Sequence, residues 1–133
     1  MRGFVTVAAA ANYAVTLWHL YVAEQVNPAL VPAEAVRIAV FAGVLTLVGV
    51  GLLWTRHRKV GSVVLIGVFA VGLIIGSAEH FFVPGPNNVF DVSNAVWSTP
   101  FKTTVVMLLV LEIAGLSGAG RVLLTRSSRW LGA

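Results

Sequence analysis

The chain contains no cysteine, which excludes disulfides, thiolate metal sites, iron–sulfur clusters and a cysteine nucleophile, and leaves the redox compartment open. Charge is also scarce. Only 11% of the 133 residues are Asp, Glu, Lys or Arg, against about 25% in ordinary soluble domains, and this argues against a soluble globular fold. Acidic residues are the rarer sign, five against nine Lys and Arg, for a net charge of +4. A pI near 10.4 would suggest nucleic acid, but no soluble basic domain exists to carry it, so no nucleic-acid partner is expected. Catalytic signatures are missing too. No HExxH spacing occurs, and nothing like a nucleophile elbow surrounds Ser77 or Ser93, although His80 and Asp91 would complete a triad on paper.

What the sequence has in excess is apolar length: 58% apolar residues and a mean hydropathy of +0.90. Four apolar blocks cover residues 3–23, 35–54, 60–83 and 103–124, each long enough for a hydrocarbon core of roughly 30 Å at about 1.5 Å per residue. The first block follows Met1-Arg2 and includes the run Ala8 to Ala11, as a signal peptide would, but it continues through Val22 and is read as a retained helix. Pro28 and Pro32 punctuate the first link, Thr55 to Lys59 forms a short charged turn, and residues 84–102 form the one long loop, opening with Pro84-Gly85-Pro86-Asn87-Asn88. The expected fold is all-α and integral to the membrane, a single antiparallel bundle of four transmembrane helices over residues 1–133.

Orientation follows from the basic residues, which cytoplasmic loops retain. Arg2, Arg56, Arg58, Lys59, Arg121, Arg126 and Arg129 fall on one side, and Arg37 and Lys102 on the other. Both termini are therefore expected in the cytoplasm, with the protein in the plasma membrane and its basic fringe on anionic lipid. His57 belongs to that fringe. Trp18 and Trp97 mark the outer interface, Trp54 and Trp130 the inner one. Close packing is predicted at the small-residue pairs Gly72/Gly76, Gly115/Ala119 and Ala10/Ala14.

Residues that cost energy in a bilayer point to function. Asn12, Thr16 and His19 share one face of the first helix at i, i+4, i+7 spacing, and the stripe is expected to point inward. By helical rise His19 lies about 24 Å from the inner end of its helix, and Glu79 and His80 about 30 Å from theirs. His19, Glu79 and His80 are thus candidates for one metal site in the outer half, with Asp91 or Glu24 as a further ligand and Cu, Zn, Fe or Mn as the ion. Haem b ranks below these. His19 and His80 would be its axial ligands, and Arg37 and Lys102 would face its propionates, but the two heights differ by roughly 6 Å. Glu112, near the middle of the fourth span, is a candidate proton or cation carrier, since a carboxyl group away from water favours its neutral form. Its structural alternative is a neutral side chain hydrogen-bonded to Asn12, Thr16 or Tyr13. The long loop, with Phe81, Phe82, Phe90 and Trp97 on or beside it, is expected to fold back over the outer mouth of the bundle.

The expected function is a small polytopic membrane protein with a His/carboxylate metal site, part of a redox or metal-handling membrane assembly rather than a stand-alone enzyme. The alternative is a non-catalytic accessory subunit of a larger membrane complex. Third comes a proton-coupled small transporter that uses Glu112. Expected partners are the lipid bilayer and other membrane subunits or further copies of the chain.

Overall fold

Each apolar block can satisfy its own backbone donors and acceptors only as a helix, because hydrocarbon offers no hydrogen bonds. The computed structural model describes residues 1–125 and has four long helices. They are α1 (Arg2–Val26), α2 (Ala33–Leu53), α3 (Arg58–Ser77) and α4 (Ser98–Leu124). All four are long and apolar enough to cross a membrane, and among the described residues there is no strand. Arg126, Arg129 and Trp130, invoked above for orientation, lie outside the described residues.

The links obey local chemistry. Asn27 ends α1, its Oδ1 accepting from the Ala29 amide at 3.0 Å, and Pro28 opens a 3-10 turn to Leu30. After α2, the Thr55 hydroxyl donates to the Leu52 carbonyl at 2.9 Å and accepts from the His57 amide at 3.0 Å, which closes the charged turn. α3 runs on into a π-helical turn, Ala78–Phe82, closed by the Val83 amide on the Ala78 carbonyl. α4 starts at Ser98, five residues before the expected Thr103. Pro100 does not delay it, because a proline in the first turn lacks only an amide that has no helical partner there. Asn94 Oδ1 takes the Val96 and Trp97 amides just ahead of that turn.

Successive helices alternate in direction. α4 packs on both α1 and α3, α3 packs on α2, and α1 and α2 close the ring with a lighter contact. At the end that holds the N-terminus and the α2–α3 turn, Val5, Ala9, Leu53, Leu65, Phe69, Ala119 and Val122 form one apolar core. At the opposite end, called outer below, Val22, Ala23, Phe101 and Val105 form a second core with Val89 and Val92 of the long loop. The loop thus folds back over that mouth, as expected, although Phe82 and Phe90 turn outward.

Backbone contact is closest where glycines allow it. A Cβ on Gly61 would come within 2.6 Å of the Gly49 carbonyl and the Leu53 amide of α2, and one on Gly115 would collide with the Phe69 ring. Gly72 is filled by the Glu112 side chain. Two expected contacts need correction. Gly76 has no neighbour within 4 Å, so the small-residue pair on α3 is a contact at Gly72 alone. Ala10 and Ala14 are exposed while Ala8 and Ala9 are buried, because the helical repeat brings Val5, Ala9, Asn12 and His19 inward.

Candidate functional site: a buried histidine pair

His19 of α1 and His80 of the π-turn are both buried, and their ring centres lie 5.0 Å apart with planes at 82°. Phe101 of α4 lies against both, at 5.0 Å from the His19 ring and 5.6 Å from the His80 ring. The expected height difference of roughly 6 Å is thus absent. It rested on the assumption that all helices begin at one level, whereas their contacts on α4 set the register. Val5 of α1 meets Gly118, and fourteen residues further along each helix His19 meets Thr104. Phe69 meets Gly115, and eleven residues further along each, His80 also arrives level with Thr104. The start of α3 consequently sits lower in the bundle than that of α1.

Hydrogen bonds orient both rings. The His19 Nδ1 lies 2.8 Å from the Thr104 hydroxyl oxygen, and that hydroxyl already donates to the Phe101 carbonyl at 2.8 Å. Thr104 can therefore only accept here, and His19 Nδ1 carries the proton that it donates. His80 Nδ1 lies 2.9 Å from the Asn87 carbonyl, a pure acceptor, so it also donates. In the neutral imidazoles each Nε2 then bears the free lone pair. The loop holds His80 twice, since the Val89 amide also donates to its main-chain carbonyl at 2.9 Å. Loop residues 87–89 and the π-turn thus position one ring, and Thr104 the other.

The carboxylates expected beside these imidazoles are elsewhere. Glu79, adjacent to His80 in sequence, is exposed and lines a surface groove of about 350 Å³ with Leu30, Pro32 and residues 83–87. Consecutive residues on a helical turn point in different directions, so adjacency in sequence separates these two side chains. Asp91 is exposed and accepts from the Gly85 amide at 3.2 Å, bracing the loop. Glu24 is exposed at the end of α1. Among the described residues, no group of three or more His, Cys, Asp and Glu side chains that could hold a metal ion occurs. Of His19, Glu79, His80 and Asp91, the fold brings together the two histidines.

Glu112 lies deeper, buried at 6% exposure, with its carboxylate over Gly72. The hydrogen bonds expected from Asn12, Thr16 or Tyr13 are not made. The Thr16 hydroxyl donates back to the Asn12 carbonyl at 2.9 Å, and the Tyr13 ring occupies the space at Gly43 of α2. The Asn12 Oδ1 is buried and has no hydrogen-bond partner.

Thr104, Phe101 and Asn87 escaped the reading of the sequence. Placing the start of the fourth span at Thr103 left Phe101 in a loop, whereas a helix begun at Ser98 puts Phe101 and Thr104 on one face at i, i+3 spacing. Nothing local marks Asn87, which acts through its main-chain carbonyl. No protein-family model, curated protein or solved structure matches the chain.

Proposed function

We propose that this four-helix membrane protein binds a borderline metal ion, Cu or Zn, through the Nε2 atoms of His19 and His80. The observation that carries the reading is the pairing of two buried imidazoles whose Nδ1 atoms are both engaged as donors, which leaves both Nε2 lone pairs free. Metal-binding histidines in general donate their second nitrogen to a carbonyl or a similar group, which fixes the tautomer. The ring separation also favours an ion over haem. Two imidazoles on one tetrahedral ion, bound at about 2 Å, have ring centres about 5 Å apart, whereas trans ligation of haem iron needs about 6 Å and space for a macrocycle. The 5.0 Å separation, with Phe101 packed across both rings, suits the first arrangement.

Two histidines leave further coordination positions to water or to a donor from outside the chain, as in sites that exchange or transform what they bind rather than serving only structure. That is the reason to assign the protein to a redox or metal-handling assembly. The basic end of the bundle, with Arg2, Arg56, Arg58, Lys59 and Arg121, is assigned to the cytoplasm of a plasma membrane, so the histidine pair opens to the other side. Cysteines introduced at Thr55 and Ser93 should then react with an impermeant reagent from opposite sides, and labelling of both from outside would reverse the assignment.

The metal reading is tested on protein purified in mild detergent, stripped with chelator and titrated with Zn(II) or, under reducing conditions, Cu(I). One equivalent should bind to the wild type and to Glu79→Gln and Asp91→Asn, and none to His19→Ala/His80→Ala with unchanged helix content. Retention of metal by the double variant, or no binding by the wild type, would replace this reading with that of an accessory subunit.

A further inference from the structure

We propose that Glu112 and Asn12 form a proton-binding site at the middle depth of the bundle, separate from the histidine pair, with Glu112 as the group that takes up and releases the proton. Register brings the two residues level. Seven residues beyond Val5 on α1 is Asn12, and seven residues back from Gly118 on α4 is Leu111, one helical step from Glu112. Asn12 Oδ1 is a buried acceptor with no donor. Glu112 is buried at 6% exposure, with its carboxylate against Gly72, where the missing Cβ makes room for it, and it receives no hydrogen bond from the described residues.

A buried acceptor without a donor is uncommon, because it forfeits hydration with nothing in return. An ionised Glu112 at the same level would add a further acceptor without a donor. One proton on Glu112 would cancel the charge and create an O–H donor at the level of Asn12 Oδ1. Among the described residues, the neighbouring helices supply no alternative cation. The inward titratable groups are His19 on α1 and His80 beyond α3, level with Thr104 and so about 12 Å further out by helical rise. Tyr13 is turned to Gly43 of α2, and Arg2, Arg58, Lys59 and Arg121 sit at the basic end of the bundle. A carboxyl group with one acceptor partner and no fixed counter-ion is suited to exchange its proton as it meets water. This is the chemistry required of a proton-coupled carrier.

The test is labelling of the full chain in detergent with dicyclohexylcarbodiimide, an apolar reagent selective for protonated carboxyl groups in apolar surroundings. Adduct yield is read by mass spectrometry across about pH 5 to 10. A single adduct on Glu112 is expected, strongest at acidic pH and falling about tenfold per pH unit above its midpoint. Glu112→Gln should remove it, and added Na⁺ should not protect against it. Asn12→Val should shift the midpoint, because the site loses a polar partner. Gly72→Ala should cut labelling several-fold by displacing the carboxylate, whereas Gly76→Ala, in open space, should not. Labelling that is absent, independent of pH, suppressed by Na⁺ or unmoved by Asn12→Val would overturn the site, provided the variants keep the wild-type helical signal.

Discussion

The inner and outer halves of the bundle solve the same packing problem differently. In the inner half glycines let backbones touch. Gly61 sits against the main chain of α2, and Gly115 under the Phe69 ring. In the outer half the helices are joined by polar side chains and by loop residues folded over the top. His19 bonds to Thr104, His80 to Asn87, and Val89 and Val92 complete the outer core. Helix association in lipid gains little from hydrophobicity, so close contact and interhelical hydrogen bonds must supply it. The inner half uses the first, and the groove of about 390 Å³ at its end, lined by Met1, Phe4, Ala114, Ser117, Gly118 and Arg121, holds no histidine or carboxylate. The outer half uses the second, with nitrogen atoms that retain free lone pairs, which is why metal binding is proposed there.

Substitutions can break this contrast or sharpen it. The largest loss is expected from Gly61→Val, whose side chain would meet the backbone of α2 and could not be relieved by a rotamer change. A destabilisation of about 1–3 kcal/mol, the usual cost of overpacking, should appear as a lowered Tm in detergent. An unchanged Tm would mean that the α2–α3 contact opens without penalty.

A smaller effect is expected from Thr104→Val, which keeps the shape but removes the hydrogen bond to His19. Interhelical hydrogen bonds of this kind contribute about 0.6 kcal/mol on average and up to about 1.7 kcal/mol. The same variant should also weaken metal binding at least about tenfold, because His19 loses the partner that sets its tautomer. If stability changes and metal affinity does not, the histidine pair is a packing device. Since the two sites share no partner, the stability losses of Gly61→Val and Thr104→Val should add to within about 0.5 kcal/mol. A larger discrepancy would join the halves that the structure keeps apart.

The smallest effect is expected from Gly76→Leu. No atom lies within 4 Å of a Cβ at this position, so the change should stay within about 0.5 kcal/mol, as for an outward substitution. A large loss there would indicate that a neighbour, such as a second copy of the chain, covers that face.

Much of the architecture was legible in composition and periodicity. Four apolar runs of spanning length have only one way to satisfy their backbones in lipid, and the prolines at 28, 32 and 84 fall outside the four long helices, as their missing amides require. The costly residues His19, His80 and Glu112 could also be singled out from sequence, because burial of polar groups in an apolar span demands an explanation. The assignment of Glu79 and Asp91 to the same place used proximity along the chain. In the fold Glu79 is turned away by the helical repeat, and Asp91 is occupied with the Gly85 amide. The start of the fourth span was placed at Thr103, five residues after the observed Ser98, and this left Phe101 in the loop and hid the face it shares with Thr104.

The number of helices, their alternating direction and the identity of the costly polar residues were determined by the sequence alone, since each depends on local chemistry repeated over twenty residues. Which helices touch, and at what relative height, was decided only by tertiary packing. A step of one residue shifts a helix by about 1.5 Å and turns its contact face by about 100°. The meeting of His19 and His80 beside Thr104 therefore depends on Gly118 receiving Phe4 and Val5, and on Gly115 receiving Phe69, far along the bundle from either histidine.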